Sequence, residues 1–324
     1  MNAPDLLNAE SLSVSFEHGR GLWRRQRLQA VRNVDLAIRE GEVLALVGES
    51  GSGKTTLGRA LLRLIEADAG RIRFAGTDIS RLSPQSLRPL RRNMQMIFQD
   101  PFASLDPRMT VGNIIAEGLK VHRIGDRDNR IARVAELLIQ VGLEPVHAWR
   151  YPHALSGGQR QRVGIARALA VNPRFIVADE PVSSLDVSVQ AQIISLLMEL
   201  KSHLGLTILF ITHNLGVVRM IADRVAVMYL GRIIELADTE TIYTSPRHPY
   251  TRTLLSAVPQ PDPRARKPFA IQPGEPPSPA APPSGCGFRT RCLFARAACA
   301  AQMPVLATLH EGHEVACLRS QELY

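Results

Sequence analysis

The residues with the plainest chemical purpose are Gly48-Glu49-Ser50-Gly51-Ser52-Gly53-Lys54-Thr55-Thr56. They follow the apolar run Val43–Val47 and precede a helical pattern from Leu57 to Leu64. A strand, a glycine-rich loop and a helix start are the setting that a G-x-x-x-x-G-K-[ST] phosphate loop requires. Gly48, Gly51 and Gly53 let backbone N–H groups curl around an anion with no Cβ in the way, and Ser50 belongs to the same turn. The helix start adds unpaired N–H groups and the positive end of a dipole. Lys54 is placed to reach the outer phosphates, the Thr55 hydroxyl to hold Mg2+, and Thr56 to complete the loop's rim. The expected ligand is a nucleoside triphosphate.

Further along, short apolar runs end in polar residues. Phe175-Ile176-Val177-Ala178 reads as a buried parallel strand and stops at Asp179-Glu180. Burying two unpaired carboxylates costs several kcal/mol, roughly, so a packing role does not account for them. Successive side chains of a strand diverge, which gives Asp179 and Glu180 separate tasks: Asp179 to hold Mg2+, Glu180 to polarise an attacking water. Met94–Phe98 ends in Gln99, whose carbonyl oxygen can serve a metal or a water, or make ordinary strand-end hydrogen bonds. Ile208–Ile211 ends in Thr212-His213-Asn214, which puts His213 among the ligand-facing strand tips of an open α/β sheet. Ser156-Gly157-Gly158-Gln159 opens another helix and forms a second anion site, one with no lysine of its own. Ser183–Asp186 reads as a turn capping the next helix, with Asp186 near the nucleotide. Phe16, at the end of the alternating stretch 11–16, is either an adenine-stacking aromatic or a core phenylalanine.

The elements required to position these groups follow from periodicity. Strands are expected at 11–16, near 34–38, and at 43–47, 71–74, 94–98, 175–178 and 208–211, separated by a basic loop over 17–29. From about 110 to 171 the pattern turns helical, with apolar spacings of three and four over 111–119 and 130–141. That is an inserted helical subdomain in an α/β domain.

The chain has 324 residues, 45% hydrophobic, 21% charged and 5% aromatic, with a net charge of +9. This is globular rather than disordered composition. Its arginines are spread out, apart from Arg24, Arg25 and Arg27, and few aromatics accompany them, so nucleic acid is not an expected partner. A solvated basic surface near anionic lipid fits better. No apolar run approaches the roughly 18–20 residues that cross a bilayer, and Met1–Asp5 does not begin a secretory signal. The expected compartment is cytoplasmic. The four cysteines, Cys286, Cys292, Cys299 and Cys317, all lie near the end of the chain. A cytoplasmic setting argues against disulfides. Four thiolates suffice for zinc, although paired C-x-x-C knuckles are absent. Arg289, Arg291 and Arg296 are interspersed and are expected to lower the thiol pKa values.

Taken together, the stretches between about 10 and 240 resemble the nucleotide-binding subunit of ATP-binding-cassette (ABC) transporters, in the family's motif order. The resemblance implies a P-loop NTPase fold: a RecA-like, mostly parallel sheet with an antiparallel β subdomain and an inserted helical subdomain at about 100–172. It makes Gly48–Thr55 the phosphate loop, Gln99 the loop glutamine and Leu155–Gln159 the signature. Asp179 becomes the metal aspartate, with Thr55 and Gln99 as further Mg2+ donors, Glu180 the catalytic glutamate and His213 the switch histidine. Two such subunits sandwich ATP head to tail, which agrees with a second anion site that is only half a site. His248–Thr251, Pro259–Pro263, Gly274–Pro279, Pro282–Cys286 and Arg289–Cys292 resemble the C-terminal extension of dipeptide and oligopeptide importers, in their F-type ATPase subunit.

The domains implied are a cassette at 8–240 and a small loop-rich cysteine module at 241–324. In such importers the extension is associated with a [4Fe-4S] cluster held by four cysteines, the alternative being Zn2+. The implied partners are two membrane permease subunits, a second related ATPase subunit (a homodimer being the other option) and, indirectly, an extracytoplasmic substrate-binding protein. The location implied is peripheral, on the cytoplasmic face of the inner membrane. Related cargoes are nickel, glutathione or peptide antibiotics, and a soluble non-transport ABC ATPase is the rival reading. The stretch around Phe102, Ala103 and Leu105 is the expected membrane-subunit contact.

Overall fold

The computed structural model describes residues 4–18, 26–258 and 277–323. Arg24 and Arg25, the Pro259–Pro263 stretch and Gly274–Pro276 lie outside the described residues. The chain forms two compact units, one built on residues 81–211 with 39–41, the other on 5–38, 42–80 and 212–324.

The second unit contains the phosphate loop. Strands β1 (Asp5–His18), β2 (Gln26–Arg39), β4 (Ala69–Phe74) and β5 (Thr77–Asp78) form a sheet ordered β2-β1-β4-β5, with β1 and β4 antiparallel. β3 (Val43–Val47) runs parallel to β9 (Arg224–Tyr229), and β9 pairs antiparallel with β10 (Arg232–Asp238). All five residues of β3 and all six of β9 are buried, as strands covered on both faces must be. Helices α1 (Lys54–Leu61), α8 (Leu215–Ile221), α9 (Thr239–Thr244) and α10 (Pro249–Ser256) complete this part.

The cysteine region is more regular than its proline-rich approach suggests. It forms the short helix α11 (Ala297–Ala301) and a hairpin of β11 (Ala307–His310) and β12 (His313–Val315). β12 adds to β10, so the extension lengthens the sheet instead of hanging from it. Tyr250, Phe288 and Ala316 enter one apolar core with Val47, Val225, Val227 and Tyr229. Glu235 of β10, fully buried, accepts hydrogen bonds from the Arg247 and His248 N–H groups at 2.6 and 3.0 Å and lies 2.9 Å from His313 Nε2. Burial alone would push this carboxyl up. The donors outweigh it and hold the group below the usual glutamate value.

The first unit is three parallel strands and their helices. β6 (Met94–Ile97), β7 (Phe175–Asp179) and β8 (Thr207–Thr212) pair in register, Met94 opposite Phe175 and Phe175 opposite Thr207. α2 (Pro84–Arg91) precedes β6 and is capped by Ser83, whose side chain accepts from the Ser86 N–H. Between β6 and β7 come α3 (Pro101–Ser104), α4 (Val111–Val121), α5 (Arg127–Gln140) and α6 (Gly157–Leu169), and α7 (Val187–Leu204) links β7 to β8. α4 and α5 bury one stripe each (Ile114, Ile115 and Leu119; Val134, Leu137 and Leu138), the i, i+4 pattern of an amphipathic helix. No helix among the described residues is long and apolar enough to cross a membrane.

Candidate nucleotide site

The phosphate loop is dictated by three glycines in conformations that side chains rarely adopt: Gly48 at φ +153°, Gly51 at +78° and Gly53 at +105°. At Gly48 a Cβ would stand 2.2 Å from the Met228 carbonyl oxygen, and at Gly53 2.2 Å from that of Ala30. The loop is therefore pressed against β2 and β9 by backbone. Lys54 is buried, and its Nζ donates to the carbonyl oxygens of Gly48 and Glu49 at 2.8 and 2.9 Å. The ammonium thus lies folded over the loop it would share with a phosphate. Ser52 Oγ is buried without a hydrogen-bond partner, an orphaned polar atom of the kind an anion site provides. Ser50 and Gly51 are exposed at the loop's tip, while Thr55 and Thr56 are half-buried at the start of α1. Phe16, near the end of β1, is 42% exposed, so it is available for stacking instead of filling the core.

In the other unit, Asp179 is the last residue of β7 and is 1% exposed. Glu180 follows at φ +45°, a left-handed backbone that is strained for a residue with a side chain. That conformation is pinned: the Glu180 N–H donates to the Ile211 carbonyl at 2.9 Å, and the Glu180 carbonyl accepts from Ser183 Oγ at 3.1 Å. The carboxylate then meets Gln99, whose Nε2 donates to Glu180 Oε2 at 3.0 Å. Two residues 81 apart in sequence, both chosen from strand ends, are brought together.

Ser156 is the N-cap of α6 within a capping box: its Oγ accepts from the Gln159 N–H at 3.3 Å, and Gln159 Oε1 accepts from the Ser156 N–H at 3.0 Å. Gly157 and Gly158 are both close-packed, since a Cβ would come 3.3 Å from Leu185 and 2.7 Å from Val189. Asp186 occupies the N-cap position of α7 but its side chain makes no capping bond, contrary to the sequence expectation. His213 is exposed directly after β8, followed by Asn214, which caps α8 by accepting from Gly216 and Val217 N–H groups.

Two expectations are corrected. Leu105 is 1% exposed and belongs to the core, so it offers no surface to a partner; Phe102, at 62%, does. Phe102 also stacks under Arg160, whose guanidinium carbon lies 3.4 Å from the ring centroid. Arg289, Arg291 and Arg296 do not bring the thiol pKa values down. Arg291 pairs with Glu49, Arg289 binds the Ser284 carbonyl and Arg296 pairs with Glu322. Burial wins instead, pushing Cys286 up to about 11 and raising Cys292 and Cys317.

All four cysteines are free thiols and line one small cavity, together with Phe288, Phe294 and Arg319. Among the described residues no group of three or more His, Cys, Asp or Glu side chains is arranged to hold a metal ion. The loop arm of this arrangement escapes sequence reasoning. Glu49 sits at an unspecified position of the phosphate-loop pattern, and its partners Tyr250 and Arg291 lie more than 200 residues away.

The comparisons agree with this architecture. Residues 31–183 match the ABC transporter family, and residues 234–299 match the oligopeptide/dipeptide transporter C-terminal region. A Brucella ovis chain named for peptide import and ATP binding is 57% identical over 319 residues, 98% of this chain and 99% of its own. The oligopeptide transport ATP-binding protein AppF of Bacillus subtilis is 49% identical over 321 residues, 98% of both chains. Among solved structures, the dimeric ATP-binding cassette MJ0796 bound to ADP and Pi is 30% identical, covers 72% of this chain and 98% of its own, and superposes with a TM-score of 0.65. A glycine-lined phosphate loop, a strained glutamate beside a buried aspartate and two matched regions thus lead to one family: the chain belongs to the ATPase subunits of ABC transporters that carry the oligopeptide/dipeptide transporter C-terminal region.

Proposed function

We propose that this chain hydrolyses ATP to power import of di- or oligopeptides through two membrane permease subunits, paired with a second, related ATPase subunit of which it is the F-type partner. The supporting observation is the joining of a cassette to the oligopeptide/dipeptide C-terminal region over the full length of relatives named for peptide import. The cassette domain is assigned to 8–240 and the extension to 241–324.

In this reading, Gly48, Ser50, Gly51, Gly53, Thr55 and Thr56 cradle the phosphates and Lys54 moves from its own carbonyls to the outer phosphates. Phe16 stacks on the adenine. Thr55, Gln99 and Asp179 supply hydroxyl, amide and carboxylate oxygens, the hard donor set that suits Mg2+. The metal's chemistry is to neutralise phosphate charge. Glu180 accepts the proton of the attacking water, Gln99 orients that carboxylate, and His213 hydrogen-bonds the terminal phosphate. Ser156, Gly157, Gly158 and Gln159 offer their half-site to the nucleotide of the partner subunit, with Asp186 alongside.

The four thiols match a four-thiolate iron–sulfur cluster in number and chemistry, with Zn2+ as the alternative, and they share one cavity, although among the described residues they are not arranged to hold a metal ion. Anaerobically purified protein is expected to contain iron and sulfide and absorb broadly near about 400 nm. Colourless protein with stoichiometric zinc sinks this part of the reading.

The importer reading is tested by recovering tagged Glu180→Gln protein from detergent-solubilised membranes with ATP. Two multi-span membrane proteins and a related ATPase are expected. Recovery of ribosomes, or of the tagged chain alone, would move the protein out of transport.

A further inference from the structure

Within the phosphate loop, Glu49 is held by several other parts of the chain. Its N–H donates to Tyr250 Oη at 2.8 Å. Its carbonyl oxygen accepts from Lys54 Nζ at 2.9 Å and from the Ser52 N–H at 3.2 Å. Its carboxylate takes a two-pronged ion pair from Arg291, Nη1 and Nη2 to the two oxygens at 2.9 and 3.0 Å. Every polar group of the residue is therefore occupied, two of them by the C-terminal extension.

These two anchors are themselves rigid. Tyr250 is fully buried, its ring 4.6 Å from that of Tyr229 and 5.4 Å from that of Phe288. Its hydroxyl cannot swing without opening that core. Arg291 lies between Cys286 and Cys292, and its side chain is only 10% exposed. A forked pair with a buried guanidinium fixes direction as well as distance, unlike a fully exposed ion pair. The carbonyls of Gly48 and Glu49 are in turn where Lys54 rests. A shift of the Glu49 peptide moves the lysine's seat and the N–H groups beside it.

We propose that Arg291 and Tyr250 are positioning residues for ATP binding: acting through Glu49, the C-terminal extension sets the shape of the phosphate loop. This rests on the reading of Gly48–Thr55 as the ATP loop, and the competing account is that the contacts only dock the extension. The two make different predictions. A docking contact affects thermal stability and leaves nucleotide affinity alone. A positioning contact weakens ATP binding and raises KM while kcat moves little, because Glu180 and Gln99 are untouched.

The test uses the full-length chain, with ATP affinity by calorimetry, steady-state KM and kcat, and melting temperature for each variant. Arg291→Ala and Glu49→Gln are each expected to weaken ATP binding about tenfold, or about 1.4 kcal/mol. The double variant is expected to be no weaker than either single one, as for two halves of one interaction. Tyr250→Phe keeps the ring packing and is expected to raise KM in the same direction. Arg291→Lys, which retains charge without the fork, is expected to fall between wild type and Arg291→Ala. Lys54→Ala serves as the reference. If it abolishes binding while Arg291→Ala, Glu49→Gln and Tyr250→Phe keep wild-type affinity, the loop reading survives and the positioning role is overturned. If Lys54→Ala also binds ATP normally, the loop reading itself fails. Should Arg291→Ala not fold, Glu49→Gln and Tyr250→Phe decide the matter alone.

Discussion

Two glycines of the phosphate loop give a controlled comparison. Both adopt positive φ, +153° at Gly48 and +78° at Gly51, but their surroundings differ. An alanine Cβ at Gly51 meets nothing within 4 Å, whereas at Gly48 it would lie 2.2 Å from the Met228 carbonyl oxygen and 3.0 Å from Ser52 Oγ. Each substitution incurs a conformational cost of roughly 1–2 kcal/mol and recovers roughly 0.4–1 kcal/mol from a stiffer unfolded chain. Gly51→Ala should therefore cost roughly 0–1.6 kcal/mol. Gly48→Ala adds overpacking against backbone that belongs to β9 and cannot rotate away, about 3 kcal/mol more. With Tm falling roughly 2–4 °C per kcal/mol for a chain of this order, Gly48→Ala should melt about 6–12 °C below Gly51→Ala. Thermal unfolding of the two purified variants, measured together with ATP binding, provides the assay. Equal melting temperatures would refute the claim that the loop is pressed onto β9.

Two further predictions concern stability. Arg224 and Glu42 are a buried pair, 9% and 7% exposed and 3.3 Å apart, and Arg224 also reaches the Ala37 carbonyl. Arg224→Ala removes one side of this buried pair and should cost about 3–5 kcal/mol by denaturant titration, far more than loss of an exposed pair such as Arg174–Glu40. Glu235 is held below the usual glutamate value of 4.5, so its contribution is complete above that pH and lost as pH falls through its folded-state value. The Tm advantage of wild type over Glu235→Gln should accordingly be full at pH 7 and shrink below about pH 4.5; a constant gap down to pH 3 would contradict it.

The cassette was legible in sequence because its signals are local. Continuous apolar runs at Val43–Val47 and Phe175–Ala178 are what doubly covered parallel strands require, and the polar residues that end the runs of β6 and β7 mark strand tips. The Ser156 cap was readable for the same reason. Direction of side chains was not. Arg291 neighbours cysteines in sequence but points to Glu49, 242 positions away, and burial governs Cys286, Cys292 and Cys317. Leu105 follows an exposed phenylalanine yet turns inward, because α3 is a single turn whose end re-enters the core. The hairpin β11–β12 carries mixed polarity and owes its form to pairing with β10, a partner no local pattern names.

Glu180, strained and held by Gln99 beside buried Asp179, is proposed to activate water for ATP hydrolysis. The direct measurement is ATP binding and single-turnover hydrolysis by Glu180→Gln alongside wild type. Binding should be retained and hydrolysis should fall about 10²–10⁴-fold, the usual contribution of a positioned general base. Hydrolysis at the wild-type rate would contradict the assignment and with it the reading of the β7 tip as the catalytic end of the sheet.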